Sequence, residues 1–273
     1  MARTKSTRNP YGSPLAMRFR NVVALLGREV HRSSEGRLGY ASTFIEPLAL
    51  IIGLSLIRYE FHPIPPLGNS MALFFLQGVV VFYAFNKTDA AISGAMSKNK
   101  MVLNFPIITP FDIYVAQFVM IVTNMIIIYH IFLFSHNFFM KTIFPEQVLW
   151  PEDILRVYEA IFMAGVYGFV IGVLNASLEV YLPWWDRFYS VLRRAQFIFS
   201  GKMFVVDYMP PTMREIIAWN PLMHPIELAR SGFYNFYESK TMDLSYFYGT
   251  MLGMAVIALS LERFARARMT TES

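Results

Sequence analysis

Histidines, acids and lysines are the side chains that could carry chemistry here, and their spacing restricts that chemistry. The five histidines, His31, His62, His130, His136 and His224, fall at no metal-ligand spacing, which leaves no metal site. Cysteine is absent, which removes a disulfide framework, a thiolate metal centre and a cysteine nucleophile. No pair of acids lies inside an apolar run, as an ion-coupled relay would need. Glu46 stands alone beside Pro47, near one end of such a run, where a carboxylate can reach the membrane interface. Gly201-Lys202-Met203 resembles the end of a phosphate loop. No Ser or Thr follows the lysine, however, and the loop's first glycine would fall on Gln196. The chain offers no catalytic residue. Any ATP and Mg that drive it must sit on another chain, and this one holds no cofactor.

The composition explains where the remaining polar groups sit. Of 273 residues, 55% are hydrophobic and only 16% charged, and the mean hydropathy is +0.40. A soluble surface needs more charge. Several apolar runs approach the roughly 20 residues that a helix needs to cross a bilayer, so the expected class is all-α and polytopic. The net charge of +5 does not indicate nucleic acid. Basic residues gather near the start (Arg3 to Arg37) and at Arg263, Arg266 and Arg268, a pattern of membrane topology.

Residues 1–13 read as a disordered basic arm with no apolar stretch of a signal peptide. In the region 14–39, Leu15, Phe19, Val22, Val23, Leu26 and Val30 share one helical face, while Arg18, Arg20, Asn21 and Arg28 lie elsewhere. That is an amphipathic helix of the membrane interface. The transmembrane domain covers 40–263, with clear spans at about 41–57, 71–92, 110–134, 154–178 and 244–262. Thr109, Pro110 and Asp112 predict the start of the third as N-cap, first turn and capping box. The last is stopped by Glu262-Arg263-Phe264-Ala265-Arg266-Ala267-Arg268, and 264–273 forms a cytosolic tail.

One stretch decides the topology. With the arm cytosolic, five spans would leave Arg263, Arg266 and Arg268 outside, against the positive-inside tendency. Six spans return them to the cytosol, so RRAQFIFSGKMFVVDYMPP is expected to supply a span at 187–207. Arg193 and Arg194 can snorkel. Lys202 either sits near the outer interface of a short span or lines a wet cavity. Region 208–243 then lies outside, with a short helix capped by Thr212 and a second beginning near Pro225. Gly168-x3-Gly172 and Gly249-x3-Gly253 allow close helix approach, including dimerisation. Aromatics of the second and fifth spans, among them Phe82, Tyr83, Phe197, Phe199 and nearby Tyr208, belong either to lipid-facing belts or to a passage on which sugar C–H groups stack.

Four stretches together resemble one family. They are REVHRSSEGRLGYASTFIEP (28–47), the turn carrying Asn99, Asn104, Pro110 and Asp112, FIFSGKMF (197–204), and WNPLMHPIELAR (219–230). The chain is similar to the membrane (permease) subunit of type-two ABC exporters, in the capsular-polysaccharide export branch. His224, Glu227 and Arg230 are its most specific marks. WNP alone is shared with O-antigen and teichoic-acid exporters. Pro106, Thr109, Ser33 and Ser34 depart from the family's basic residues.

The resemblance implies a homodimer of six-span subunits in the bacterial inner membrane, with both termini cytosolic and two copies of an ATP-binding subunit. It also implies a periplasmic adaptor of the polysaccharide co-polymerase type, an outer-membrane export channel and a glycolipid-linked polysaccharide as substrate. It places ATPase coupling at Arg28, Glu29, Ser97, Lys98, Asn99 and Lys100. The translocation pathway would use Glu46 and Lys202 with the aromatics named above. The periplasmic gate would use Trp219, Asn220, Pro221, His224, Glu227 and Arg230. The alternatives are an O-antigen or teichoic-acid exporter, a membrane enzyme acting on lipid-linked glycan, and a non-transporting scaffold.

Overall fold

An apolar run of bilayer length has few ways to satisfy its backbone without water, and the helix does so within one segment. In a computed structural model of the chain, the regular structure among the described residues is helical. The structure describes residues 14–34, 39–95 and 107–271, with side chains described over 17–29, 41–95 and 107–265. In order, the helices are α1 (Pro14–Ser34), α2 (Gly39–Phe61), α3 (Met71–Ser93), α4 (Pro110–Ile143), α5 (Ile154–Tyr181), α6 (Trp185–Phe199), α7 (Pro211–Ala218), α8 (Met223–Phe233) and α9 (Leu244–Thr271). Among them α2, α3, α4, α5 and α9 are long and apolar enough to cross a membrane.

Polar residues set the helix starts. Ser70 accepts the Leu73 N–H at 3.4 Å before α3. Before α4 the expected capping box is present: the Thr109 hydroxyl accepts the Asp112 N–H and Asp112 accepts the Thr109 N–H at 2.9 Å. Asp153 accepts the N–H groups of Leu155 and Arg156 to open α5.

The centre of the bundle is α3, packed most extensively against α5. Of the most apolar stretch of α3, 83% is buried, against 17% in α2 and 11% in α9, whose outer faces are left to the surroundings. The glycine pairs divide accordingly. A Cβ at Gly168 would collide with the Phe85 carbonyl, and one at Gly172 would lie 2.8 Å from Ile92 Cβ, so this motif brings α5 onto α3 within the chain. A Cβ at Gly249 or Gly253 would meet nothing within 4 Å beyond its own helix backbone. α1 lies across the start of α4, where Asn21 donates to the Ile107 carbonyl at 3.0 Å and Arg18 lies 3.8 Å from Asp112. Leu25, outside the expected apolar face, is buried; Val22 and Leu26 of that face pack beside it, while Phe19 and Val23 of the same face remain exposed.

Several expected boundaries shift. α4 runs to Ile143, because nothing between 135 and 143 breaks a helix before Pro145. α9 continues through Arg263, since solvated charge ends a membrane span without ending a helix. α7 begins at Pro211 with no side-chain cap, so Thr212 is not the cap expected of it; proline suits the first helical position. The largest difference lies in the expected span over 187–207. α6 has 15 residues, about 22 Å of helix. Its last residues turn at Gly201, whose φ of 80° suits glycine, and the chain continues irregularly to a single 3-10 turn at Val206–Tyr208.

Candidate functional site

The break after α6 creates a backbone problem that α8 solves. Gly78 of α3 makes room for the turn, since a Cβ there would lie 2.7 Å from the Lys202 carbonyl oxygen. Carbonyls freed in such a place must find donors. Arg230 supplies them: Nη1 donates to the Phe204 carbonyl at 2.8 Å, and Nη2 to those of Gly201 at 2.9 Å and Lys202 at 3.1 Å. Three residues away on the same helix face, Glu227 accepts Arg230 Nη1 at 2.8 Å, the Val206 N–H at 3.4 Å and the Tyr237 hydroxyl at 2.6 Å. Both side chains are fully buried, and the guanidinium carbon stands 4.5 Å from the centre of the Phe74 ring. This pair therefore holds the turn in place from within the bundle.

The same unit is closed at its other edges. Asp207 accepts the N–H groups of Lys240 at 2.8 Å and Thr241 at 3.1 Å. His224 Nδ1 accepts the Asp243 N–H at 3.0 Å, which puts the ring proton on Nε2. Burial holds the His224 imidazole below its usual pKa, and the Ala218 carbonyl and Asp243 charge offset only part of that. The carbonyl of Gly232, near the end of α8, accepts the Asp153 N–H at 2.8 Å, joining α8 to the start of α5.

Lys202 occupies a third kind of place, neither at the interface nor on an open cavity. It is fully buried, and Nζ lies 3.6 Å from the Phe82 ring centre and 2.8 Å from that of Phe197, with no hydrogen-bond partner. The two rings meet edge to face at 5.5 Å. They also line a cleft of about 500 Å³ between α3 and α6, which Asn86, Arg193 and Arg194 complete. Residues expected on a passage from two separate spans thus share one surface, with aromatic walls and a cationic rim.

Through Arg193 this cleft adjoins a buried acid, Asp89, one turn beyond Asn86 on α3. Asp89 accepts Asn175 Nδ2 at 2.8 Å and Arg193 Nε at 3.1 Å, and Arg193 Nη2 is also 3.0 Å away. Asn175 in turn accepts the Trp185 indole N–H at 2.9 Å, and the Arg193 guanidinium stands 5.0 Å from the centre of the Tyr189 ring. From the sequence Arg193 is expected to snorkel, and Asp89 falls near the end of the span expected over 71–92. An ionisable pair near apolar helices was the signal available.

The other expected site residues are dispersed. Arg28 and Glu29 of α1 lie 3.6 Å apart. Ser97, Lys98, Asn99 and Lys100 fall outside the described residues. Glu46 forms an ion pair with Lys87 and accepts the Tyr83 hydroxyl at 3.2 Å. Phe199, Tyr208 and Trp219 are exposed. Asn220 stitches the gap between α7 and α8, donating to the Phe199 carbonyl at 3.0 Å and accepting the Leu222 N–H at 3.1 Å, with Pro221 between them. His130 and His136 serve packing, bonded to Tyr158 at 2.9 Å and Ser70 at 2.8 Å. Among the described residues no three His, Asp or Glu side chains gather as a metal site.

Fold and site together define a polytopic α-helical membrane protein with a short, broken helix locked to a folded-back helical unit. The chain is similar to two polysialic acid transport proteins KpsM of Escherichia coli. One is 26% and the other 27% identical over 256 residues, covering 92% of this chain and 95% of each relative. It is also 20% identical over 253 residues to the capsule polysaccharide export inner-membrane protein CtrC of Neisseria meningitidis serogroup A, covering 92% of both chains. No family model matches the chain.

Proposed function

We propose that this chain is the membrane-spanning subunit of an exporter that moves capsular polysaccharide across the bacterial inner membrane. The observation that carries this reading is the near end-to-end similarity to capsule and polysialic acid transport proteins. The absence of a phosphate loop from the sequence fits a permease driven by a separate ATP-binding subunit. In this reading two copies pair with two ATPase subunits, both termini are cytosolic, and α1 with the segment around Lys98 and Lys100 meets the ATPase. A periplasmic adaptor and an outer-membrane channel receive the lipid-linked polymer. The cleft of Phe82, Phe197 and Arg194 supports a passage for a long polar chain, because aromatic faces grip sugar rings without fixing them.

The test is a deletion strain. Loss of this chain should leave polymer inside the cell, and its return should restore surface polymer. The purified chain should bring down an ATP-binding subunit whose hydrolysis rises with added polymer. Normal surface polymer in the deletion strain would overturn the proposal. Reversing Lys98 and Lys100 to Glu should stop export while the protein still inserts.

A further inference from the structure

A second cleft, of about 320 Å³, lies where α7, the start of α8 and the start of α9 meet, lined by Ala218, Trp219, His224, Thr241, Asp243 and Tyr246. Its residues are held by contacts that fix a shape. The Tyr246 hydroxyl donates to the Trp219 carbonyl at 2.8 Å, which pins the residue while its side chain stays outside; Trp219 is 75% exposed. The indole and the Tyr246 ring stand 6.3 Å apart at 83°, making an aromatic corner. The His224 ring meets Tyr246 at 5.3 Å. His224 itself is 1% exposed, with Nδ1 taken by the Asp243 N–H and Nε2 turned toward the Ala218 carbonyl.

Trp219 stands open at the end of α7, whose Met213 and Ile216 are also exposed, but it alone of these is pinned by its carbonyl beside a second ring. A perpendicular pair of rings, with a carboxylate and a threonine around one small cleft, matches the chemistry of a pyranose. Sugar C–H faces lie on an aromatic plane, and the ring hydroxyls find donors and acceptors at the edge. We infer that this corner is a saccharide subsite, in which Trp219 is the stacking platform, Asp243 meets hydroxyls of one residue of the polymer, and His224 holds the Tyr246 ring and the Asp243 backbone in position. The inference rests on the proposed export function and deepens it: the chain would be held at one sugar, beside the broken turn, during its passage.

The experiment uses the full chain in cells that make the polymer. Trp219→benzoylphenylalanine keeps an aromatic group at the exposed position and makes it photoreactive. Irradiation should give a polydisperse adduct that stains for carbohydrate and is missing from a polymer-negative strain. Trp219→Ala should export roughly tenfold more slowly at equal membrane abundance, and Trp219→Phe should fall between it and the parent because the smaller ring still stacks. An adduct that carries only phospholipid, no adduct, or unchanged export by Trp219→Ala would overturn the subsite. The two readings separate cleanly: if the unaltered chain fails to restore surface polymer in the deletion strain, the export function falls. If it restores polymer but Trp219 captures no carbohydrate, the subsite alone falls.

Discussion

Replacing Arg230 by methionine keeps an unbranched side chain of similar reach and removes the cation. In the structure this deletes the bonds to the carbonyls of Gly201, Lys202 and Phe204 and leaves Glu227 buried with only Val206 and Tyr237 as donors. Counting four charge-assisted bonds at about 1.5–3 kcal/mol each would give roughly 6–12 kcal/mol. That sum is too large, because the freed side chain regains about 2 kcal/mol of rotamer entropy and such terms do not add. Breaking a fully buried ion pair by removing one partner costs about 3–5 kcal/mol, and this is the expected loss. Unfolding of the purified protein in mixed micelles, followed by intrinsic fluorescence, measures it. Glu227→Gln in the same background should recover at least about 1 kcal/mol, since the orphaned charge disappears. A loss below about 1 kcal/mol for Arg230→Met, or strict additivity of the two changes, would refute the assignment of this pair as the clamp on the turn.

Four further outcomes test other parts of the molecule. Gly168→Ala should lower stability by about 1–3 kcal/mol because its methyl meets the Phe85 carbonyl, whereas Gly253→Ala, with open space around it, should stay within about 0.5 kcal/mol; the same unfolding assay compares them. Asp89→Leu strands Arg193 and Asn175 and should cost about 3–5 kcal/mol, with Asp89→Leu plus Arg193→Met closer to the parent. Lys202→Met removes an ammonium that has aromatic faces but no hydrogen bond, so the unfolding midpoint should hold or rise; a loss above about 1 kcal/mol would show that the cation–π contacts outweigh desolvation. His224 stays neutral in the fold with its pKa lowered, so the unfolded chain takes up the proton first. Stability from this group is therefore full above the ordinary histidine pKa of about 6.5 and declines as pH falls below it, a slope that His224→Gln should flatten in midpoint measurements at several pH values.

Much of this architecture was legible before any coordinates. The long apolar runs announce helices because a bilayer leaves the backbone few other solutions, and the Thr109–Asp112 pair announces where α4 begins. The resemblance in residues 219–230 pointed to His224, Glu227 and Arg230 as a set, and the i,i+3 spacing of Glu227 and Arg230 puts those two on one helix face. Their physical task was not legible. A motif shows which side chains face the same way, but the carbonyls that Arg230 satisfies belong to residues 26 to 29 positions earlier in the chain. Likewise Asp89 and Arg193 are 104 residues apart, and neither is unusual where it stands in the sequence.

Local composition determined that the chain is membrane-embedded, where most helices begin, and which residues are rich in chemistry. Tertiary packing decided what that chemistry is for. The stretch around Lys202 shows the division. Its charges and glycine marked it as a poor span, and charge balance argued that it crosses; only the assembled bundle places a turn at Gly201, room for it at Gly78, and a buried arginine to hold its carbonyls. Helix formation follows from hydrogen bonds between near neighbours in sequence. A break in a helix needs partners from elsewhere, and those are fixed by three-dimensional contact.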